Sequence, residues 1–132
     1  MPILPDWRLP LAGGNSLETL FHLTTQECWW AAHDSDVYRW STRGKTLDEV
    51  GFIHCSFAHQ VERVADFVYA GFASVLLLII DPSLVTAEIR VENLDGGDDL
   101  FPHIYGPLPV HAVVDSIALH ANAAGRFHLS AR

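Results

Sequence analysis

Cysteine is scarce in this 132-residue chain: Cys28 and Cys55 are the only two. Two are too few for a disulfide framework, so both thiols are expected to be reduced, as in a cytoplasmic protein. Basic side chains are also few. Eight Lys and Arg stand against sixteen Asp and Glu, for a net charge of −8. Proteins that bind by neutralising a phosphate backbone or an anionic lipid surface need the opposite balance, so neither nucleic acid nor membrane is an expected partner. Long apolar runs are missing. The longest, Val75 to Ile80, falls far short of the roughly 20 residues of a spanning helix. No basic-then-apolar pattern follows Met1, so no secretory signal is expected.

What is present is the composition of a folded domain, with 49% hydrophobic and 18% charged residues. That supports one domain with a substantial core. Pro2, Pro5 and Pro10, then Gly13-Gly14-Asn15-Ser16, mark residues 1–19 as an N-terminal extension that Trp7 and Leu9 would tether. A single α+β domain is expected over residues 20–119. Residues 120–132 are weakly patterned and are expected to form a fraying C-terminal tail.

Leu20 to Leu23 reads as a strand that runs into a capping box, with Thr24 at the cap and Glu27 three residues on. The helix it opens runs to about His33. Residues 34–51 read as polar and irregular, apart from Val37, Tyr38 and Trp40. A second strand over Gly51 to Ser56 precedes a second helix over His59 to Ala70, where Val61, Val64, Ala65 and Val68 form a core-facing stripe. Ser74 to Ile80 reads as a strand buried on both faces. Strands over Ala87–Glu92, Phe101–Tyr105 and Val110–Leu119 complete the chain. Two helices in the N-terminal half, followed by a run of strands, imply an α+β domain with a mixed or antiparallel sheet.

The eight histidines are not scattered evenly. Phe21-His22-Leu23-Thr24 and Ile53-His54-Cys55-Ser56 repeat one pattern: apolar, His, apolar, hydroxyl. Alternation along a strand projects His22 with Thr24, and His54 with Ser56, to one face. Each couple sits where a strand gives way to a helix, beside unsatisfied backbone N–H groups. Two such corners side by side would present imidazoles and hydroxyls to a ligand bearing ribose and phosphate. Cys55 is expected to face the core, protonated and inert. In a third segment, Phe101, His103 and Tyr105 share a strand face stiffened by Pro102, Pro107 and Pro109, which suits rings held for stacking. Glu92, Asp98 and Asp99 are nearby carboxylates.

The strings Gly51-Phe52-Ile53-His54-Cys55-Ser56-Phe57 and Phe101-Pro102-His103-Ile104-Tyr105-Gly106-Pro107-Leu108 closely resemble a family of small bacterial proteins, domain of unknown function family 952. Phe21 to Thr25, Trp29 and Gln60 fit its pattern, and the likeness spans about Leu20 to Leu119. That family is similar to the ADP-ribosyltransferase superfamily, and in particular to the RNA 2′-phosphotransferases, which use NAD. The resemblance implies an ADP-ribosyltransferase-like fold and a nucleotide-like ligand, with NAD as a substrate. His22-Leu23-Thr24 matches the first motif of that superfamily in its His and its hydroxyl, with Leu where Gly is common. His54-Cys55-Ser56 resembles the second, and Glu92 and His103 are candidates for the third. On this reading His22, His54, Glu92 and His103 are the candidate catalytic residues, and Thr24, Ser56, Phe101 and Tyr105 the ligand-binding ones. The reaction would be transfer or hydrolysis at the ribose anomeric carbon, and no metal is expected. The arginines of the phosphotransferases have no clear counterparts here, and the acidic surface is wrong for RNA. Two alternatives stay open. One is a metal-dependent hydrolase built on His22, His54 and His103 with Asp98 or Asp99. The other is a non-catalytic binding module that uses Trp7, Trp30 or Trp40. Oligomeric state is left open.

Overall fold

The computed structural model describes residues 18–94 and 96–129. The N-terminal extension up to residue 17, with Trp7 and Leu9, therefore lies outside the described residues. Along the chain come β1 (Leu20–Thr24), α1 (Gln26–Ala32), β2 (Val37–Tyr38), β3 (Trp40–Thr42) and β4 (Lys45–Thr46). Then follow α2 (Leu47–Val50), β5 (Ile53–His54), α3 (Val61–Val68) and β6 (Ser74–Ile80). The last elements are β7 (Ile89–Glu92), β8 (Phe101–Ile104), β9 (Leu108–Pro109) and β10 (Val113–His120). This is an α+β fold whose paired strands all run antiparallel. Among the described residues, no helix is long and apolar enough to cross a membrane.

β6 is the central strand, with β1 on one side and β10 on the other. Its sequence, SVLLLII, is apolar at successive positions because both of its faces are covered. Leu76, Leu78 and Ile80 join Leu20, Trp29, Tyr38 and Ile104 in one core. Val75, Leu77 and Ile79 join Phe21, Val61, Ala65 and Phe127 in a second core beneath α3. β10 forms the far edge of the sheet, with a register break between Val113 and Asp115. There the Ser116 N–H donates to the Asp115 carboxylate at 2.8 Å. A second sheet, in the order β5-β8-β7, turns the backs of Ile53 and Ile104 into the first core.

Several boundaries differ from the expectation. The helix cap is Thr25, not Thr24: Thr24 is still paired with Leu76 in the β1–β6 ladder, and the Thr25 hydroxyl accepts from Cys28 N. Thr25→Ala is expected to lower stability by about 1 kcal/mol. An unchanged urea midpoint would take the cap away from Thr25. Residues 34–51, expected to be irregular, hold β2, β3, β4 and a third helix, α2. That helix has its own capping box between Thr46 and Glu49. It ends at Gly51, whose φ of 100° is open to glycine at little cost and turns the chain towards β5. The second expected helix begins with a 3-10 turn, Ala58–Gln60, and becomes α-helical at Val61. Val110–Ala112 is likewise a 3-10 turn ahead of β10, not part of it.

The expected fraying after His120 does not hold for residues 121–129. Phe127 is 1% exposed in the second core. Its N–H donates to the Asp66 carboxylate at 2.8 Å, and the Leu129 N–H donates to the Glu62 carboxylate at 2.8 Å. One buried ring and two α3 carboxylates hold a segment that has no periodic pattern of its own.

Candidate functional site

The two strand-to-helix corners adjoin. Phe21 and Ser56 exchange backbone hydrogen bonds of 2.9 and 2.7 Å, which sets the end of β1 beside the chain leaving β5. His22 is 2% exposed. Its Nδ1 lies 2.5 Å from the His54 carbonyl oxygen, and its Nε2 lies 2.7 Å from the Tyr38 hydroxyl. The Tyr38 hydroxyl in turn lies 2.8 Å from Thr24 Oγ1. A carbonyl only accepts, so Nδ1 carries the proton. Burial pushes the His22 pKa down to about 4, against a smaller upward pull from the His54 carbonyl. The neutral ring therefore accepts at Nε2 from Tyr38, and Thr24 donates onward to the tyrosine oxygen. Burial also raises the Tyr38 pKa, so the phenol keeps its proton. His22 and Thr24 share a strand face as alternation requires, but a buried relay engages both imidazole nitrogens.

The second cluster follows from sheet register. His54 pairs with His103, Arg90 with His103, and Glu92 with Phe101. Opposed residues share a face, so these side chains stand together. The His54 and His103 rings meet edge to face at 5.0 Å. Phe52, which enters β5 from the Gly51 turn, stacks on His103 at 4.2 Å and meets His54 at 4.8 Å. His103 is 3% exposed, and its Nδ1 lies 2.8 Å from Glu92 Oε2. The Tyr105 hydroxyl donates to the same Glu92 oxygen. These two hydrogen bonds, the tyrosine's first, hold the Glu92 carboxyl below its usual range, and the Tyr105 phenol is raised in exchange. The Arg90 guanidinium lies over the Tyr105 ring at 4.3 Å and pairs with Glu88 at 3.1 Å.

Both corners open onto one cleft of about 600 Å³. His54, Ser56 and His103 reach it as polar groups, the His22 ring borders it with both nitrogens engaged elsewhere, and Phe52, Val64, Phe67, Leu94 and Phe101 form its apolar wall. Phe67 is 84% exposed at its edge. Of the candidate site residues, Thr24, Glu92 and Tyr105 are not on this wall. Thr24 is buried against Tyr38, while Glu92 touches His103 directly and Tyr105 reaches it through Glu92. Cys55 borders the cleft but is 3% exposed, and burial pushes its thiol pKa up, which suppresses the nucleophilic thiolate.

The metal-hydrolase alternative loses its donor set. Among the described residues, no three His, Cys, Asp or Glu side chains converge so as to hold a metal ion. His22 has neither nitrogen free for one. Of the tryptophans considered for a partner surface, Trp30 is 65% exposed, Trp40 packs against the first core, and Trp7 lies outside the described residues.

Three site residues were not singled out from the sequence. Phe52 stands two positions before His54, so strand alternation already aims both to one face. Tyr38 lies in the stretch read as irregular. Arg63 is the one Lys or Arg among the described residues lining the cleft. It projects from the helix expected there and carries no local signal for this position.

Comparison with known proteins agrees on one kinship. The model of the family described as protein of unknown function (DUF952) matches residues 23–116. The crystal structure of CC0527 from Caulobacter crescentus superposes with a TM-score of 0.72 at 26% identity, over 83% of this chain and 93% of that one. The solution NMR structure of CC0527 gives 0.68 at 27% identity, over 82% and 90%. No curated protein matches.

Proposed function

We propose that this chain, which belongs to the DUF952 family of proteins of unknown function, binds a nucleotide-like small molecule of the NAD or ADP-ribose class in the aromatic cleft. It acts there at the ribose anomeric carbon, with NAD as substrate. The observation that carries the reading is His103 on the cleft wall with Nδ1 held by the Glu92 carboxylate at 2.8 Å. A carboxylate only accepts, so Nδ1 is the nitrogen that donates to it, and in the neutral tautomer this selects, Nε2 carries the lone pair. The Phe52 ring stacked on His103 holds the imidazole plane.

In the reaction, the bond from the anomeric carbon to the pyridinium nitrogen breaks, and nicotinamide leaves with the electron pair. Water, or the hydroxyl of an acceptor, bonds to that carbon and gives its proton to His103 Nε2. A general base in this position contributes roughly 10²- to 10⁴-fold. Phe52 and Phe101 offer ring faces to a planar base, and Ser56 and His54 offer polar atoms to the ribose hydroxyls. His22 and Thr24 support the corner from inside. The likeness of the two corner motifs to the ADP-ribosyltransferase superfamily favours the same ligand class. Two free thiols and a metabolite substrate of this kind both suit the cytoplasm.

Calorimetric titration with NAD and with ADP-ribose tests the reading. Saturable heat below millimolar concentration is expected, as is chromatographic release of nicotinamide from NAD. Absence of heat at millimolar ligand overturns it. A second reading, a non-catalytic pocket for an aromatic ligand, is favoured by the apolar wall around Phe67 and Phe101. It is the outcome if ligand binds and nicotinamide is not released.

A further inference from the structure

Arg63 stands on α3 at the edge of the cleft, and its Nη2 donates to Asp99 Oδ2, on the chain between β7 and β8. Both side chains remain open to solvent, at 66% and 42% exposure. Arg63 also borders a shallower groove that holds Arg126, together with Glu62 and Asp66. Arg126 already faces Asp66 at 4.0 Å. A single guanidinium therefore joins the aromatic cleft to the outside, and in this structure a carboxylate of the chain itself occupies it.

We propose that Arg63 is the anion-binding residue of the cleft, that it takes a phosphate group of the ligand, and that Asp99 is the internal competitor the phosphate displaces. This rests on the reading of the cleft as a nucleotide site and adds to it where the phosphates lie. Three features support the exchange. Guanidinium matches a phosphate as well as a carboxylate, through paired N–H donors. An exposed ion pair contributes little to stability, so giving it up costs little. In a chain of net charge −8, Arg63 is the one Lys or Arg among the described residues lining the cleft, so it decides whether phosphate is tolerated there. The apolar wall then takes the base and nucleoside end, while the phosphates leave the cleft past Arg63.

The test is calorimetry on the wild type, Arg63→Ala and Asp99→Asn at low salt, with three probes: ADP-ribose, inorganic pyrophosphate and adenosine. Arg63 is exposed and Asp99 half-buried, and far-UV circular dichroism checks that the variants fold alike. Arg63→Ala is expected to weaken ADP-ribose by about tenfold, the scale of one lost charge-assisted hydrogen bond, and to leave adenosine unchanged. Asp99→Asn is expected to tighten ADP-ribose severalfold by removing the competitor. An equal loss for adenosine and ADP-ribose on Arg63→Ala overturns the proposal, and so does an Asp99→Asn variant that binds ADP-ribose as the wild type does. If pyrophosphate binds through Arg63 while ADP-ribose does not, the anion site stands and the nucleotide reading falls. If ADP-ribose binds with no dependence on Arg63, the nucleotide reading stands and the anion site falls. If neither phosphorylated probe binds even Asp99→Asn, the anion site is overturned.

Discussion

Replacing His22 by Ala is expected to lower stability at neutral pH by about 3 kcal/mol. The substitution leaves the Tyr38 hydroxyl and the His54 carbonyl facing a void where each now has a partner. The cost is one of packing and hydrogen bonding, and urea denaturation reads it directly. The same residue also sets a pH dependence. Its folded pKa is depressed from 6.5 to about 4 by burial, so between those values the unfolded chain binds a proton that the native chain refuses. Stability is therefore full above pH 6.5, declines as pH falls from 6.5 towards 4, and levels off once the native ring also protonates. Over that window the loss amounts to about 3 kcal/mol, since each pH unit between the two values costs about 1.36 kcal/mol. In His22→Gln, whose side chain has both a donor and an acceptor and no charge to gain, the decline between pH 6.5 and 4 is expected to be shallower by that amount. Parallel pH profiles for wild type and His22→Gln would mean that the ring is not held neutral.

On the proposed function, His103→Ala is expected to reduce nicotinamide release from NAD by about 10²- to 10⁴-fold. In the proposed reaction the His103 ring would receive the proton, and it also backs Phe52, so a thermal midpoint is needed beside the rate. Glu92→Gln separates the two roles. It keeps the shape of the side chain and an oxygen for the Nδ1 proton, but removes the charge that would stabilise an imidazolium in the proposed reaction. A fall of about 10- to 100-fold in kcat with little change in KM is expected for a positioning carboxylate of this kind. A purely structural role for Glu92 would change stability and leave kcat per folded molecule untouched. Because Tyr105 and His103 hold the Glu92 carboxyl below its usual range, it stays ionised throughout the neutral region where the assay is run.

The parts of this fold that were legible are those with a strong local period. Ser74–Ile80 is readable because successive branched residues have one physical explanation, a strand covered on both faces. The stripe through Val61 and Ala65 is readable because a helix buries every third or fourth residue. Residues 34–51 defeat the same reasoning, since strands as short as Val37–Tyr38 and Lys45–Thr46 hold too few positions for alternation to show. The capping box at Thr46 and Glu49 was in plain view there. The neighbouring threonines 24 and 25 could not be told apart as caps without knowing how far the β1 ladder extends. Phe127 gave no sign of its burial, because its partners come from a helix about sixty positions earlier.

The site was legible to a similar degree and for a similar reason. Alternation correctly grouped Phe101 with His103, and the matched corners do adjoin. What sequence could not supply is which partner each group has already taken. His22 looked like an open imidazole because Tyr38, the residue that occupies it, lies sixteen positions away in an unreadable stretch. Glu92 and His103 were both chosen, but only the pairing of β7 with β8 makes them one unit.

The register break in β10 bears on how this protein behaves in company. An eight-residue strand on the open side of a sheet is a template on which a second molecule can add its own strand, and repeated addition grows a fibril. Here the register break near the start of β10 interrupts the flat run, and the Asp115 carboxylate already takes the neighbouring Ser116 N–H. Neutralising Asp115 would take a charge off the longest strand among the described residues and favour self-templating, a failure that leaves the native contacts of each single chain intact.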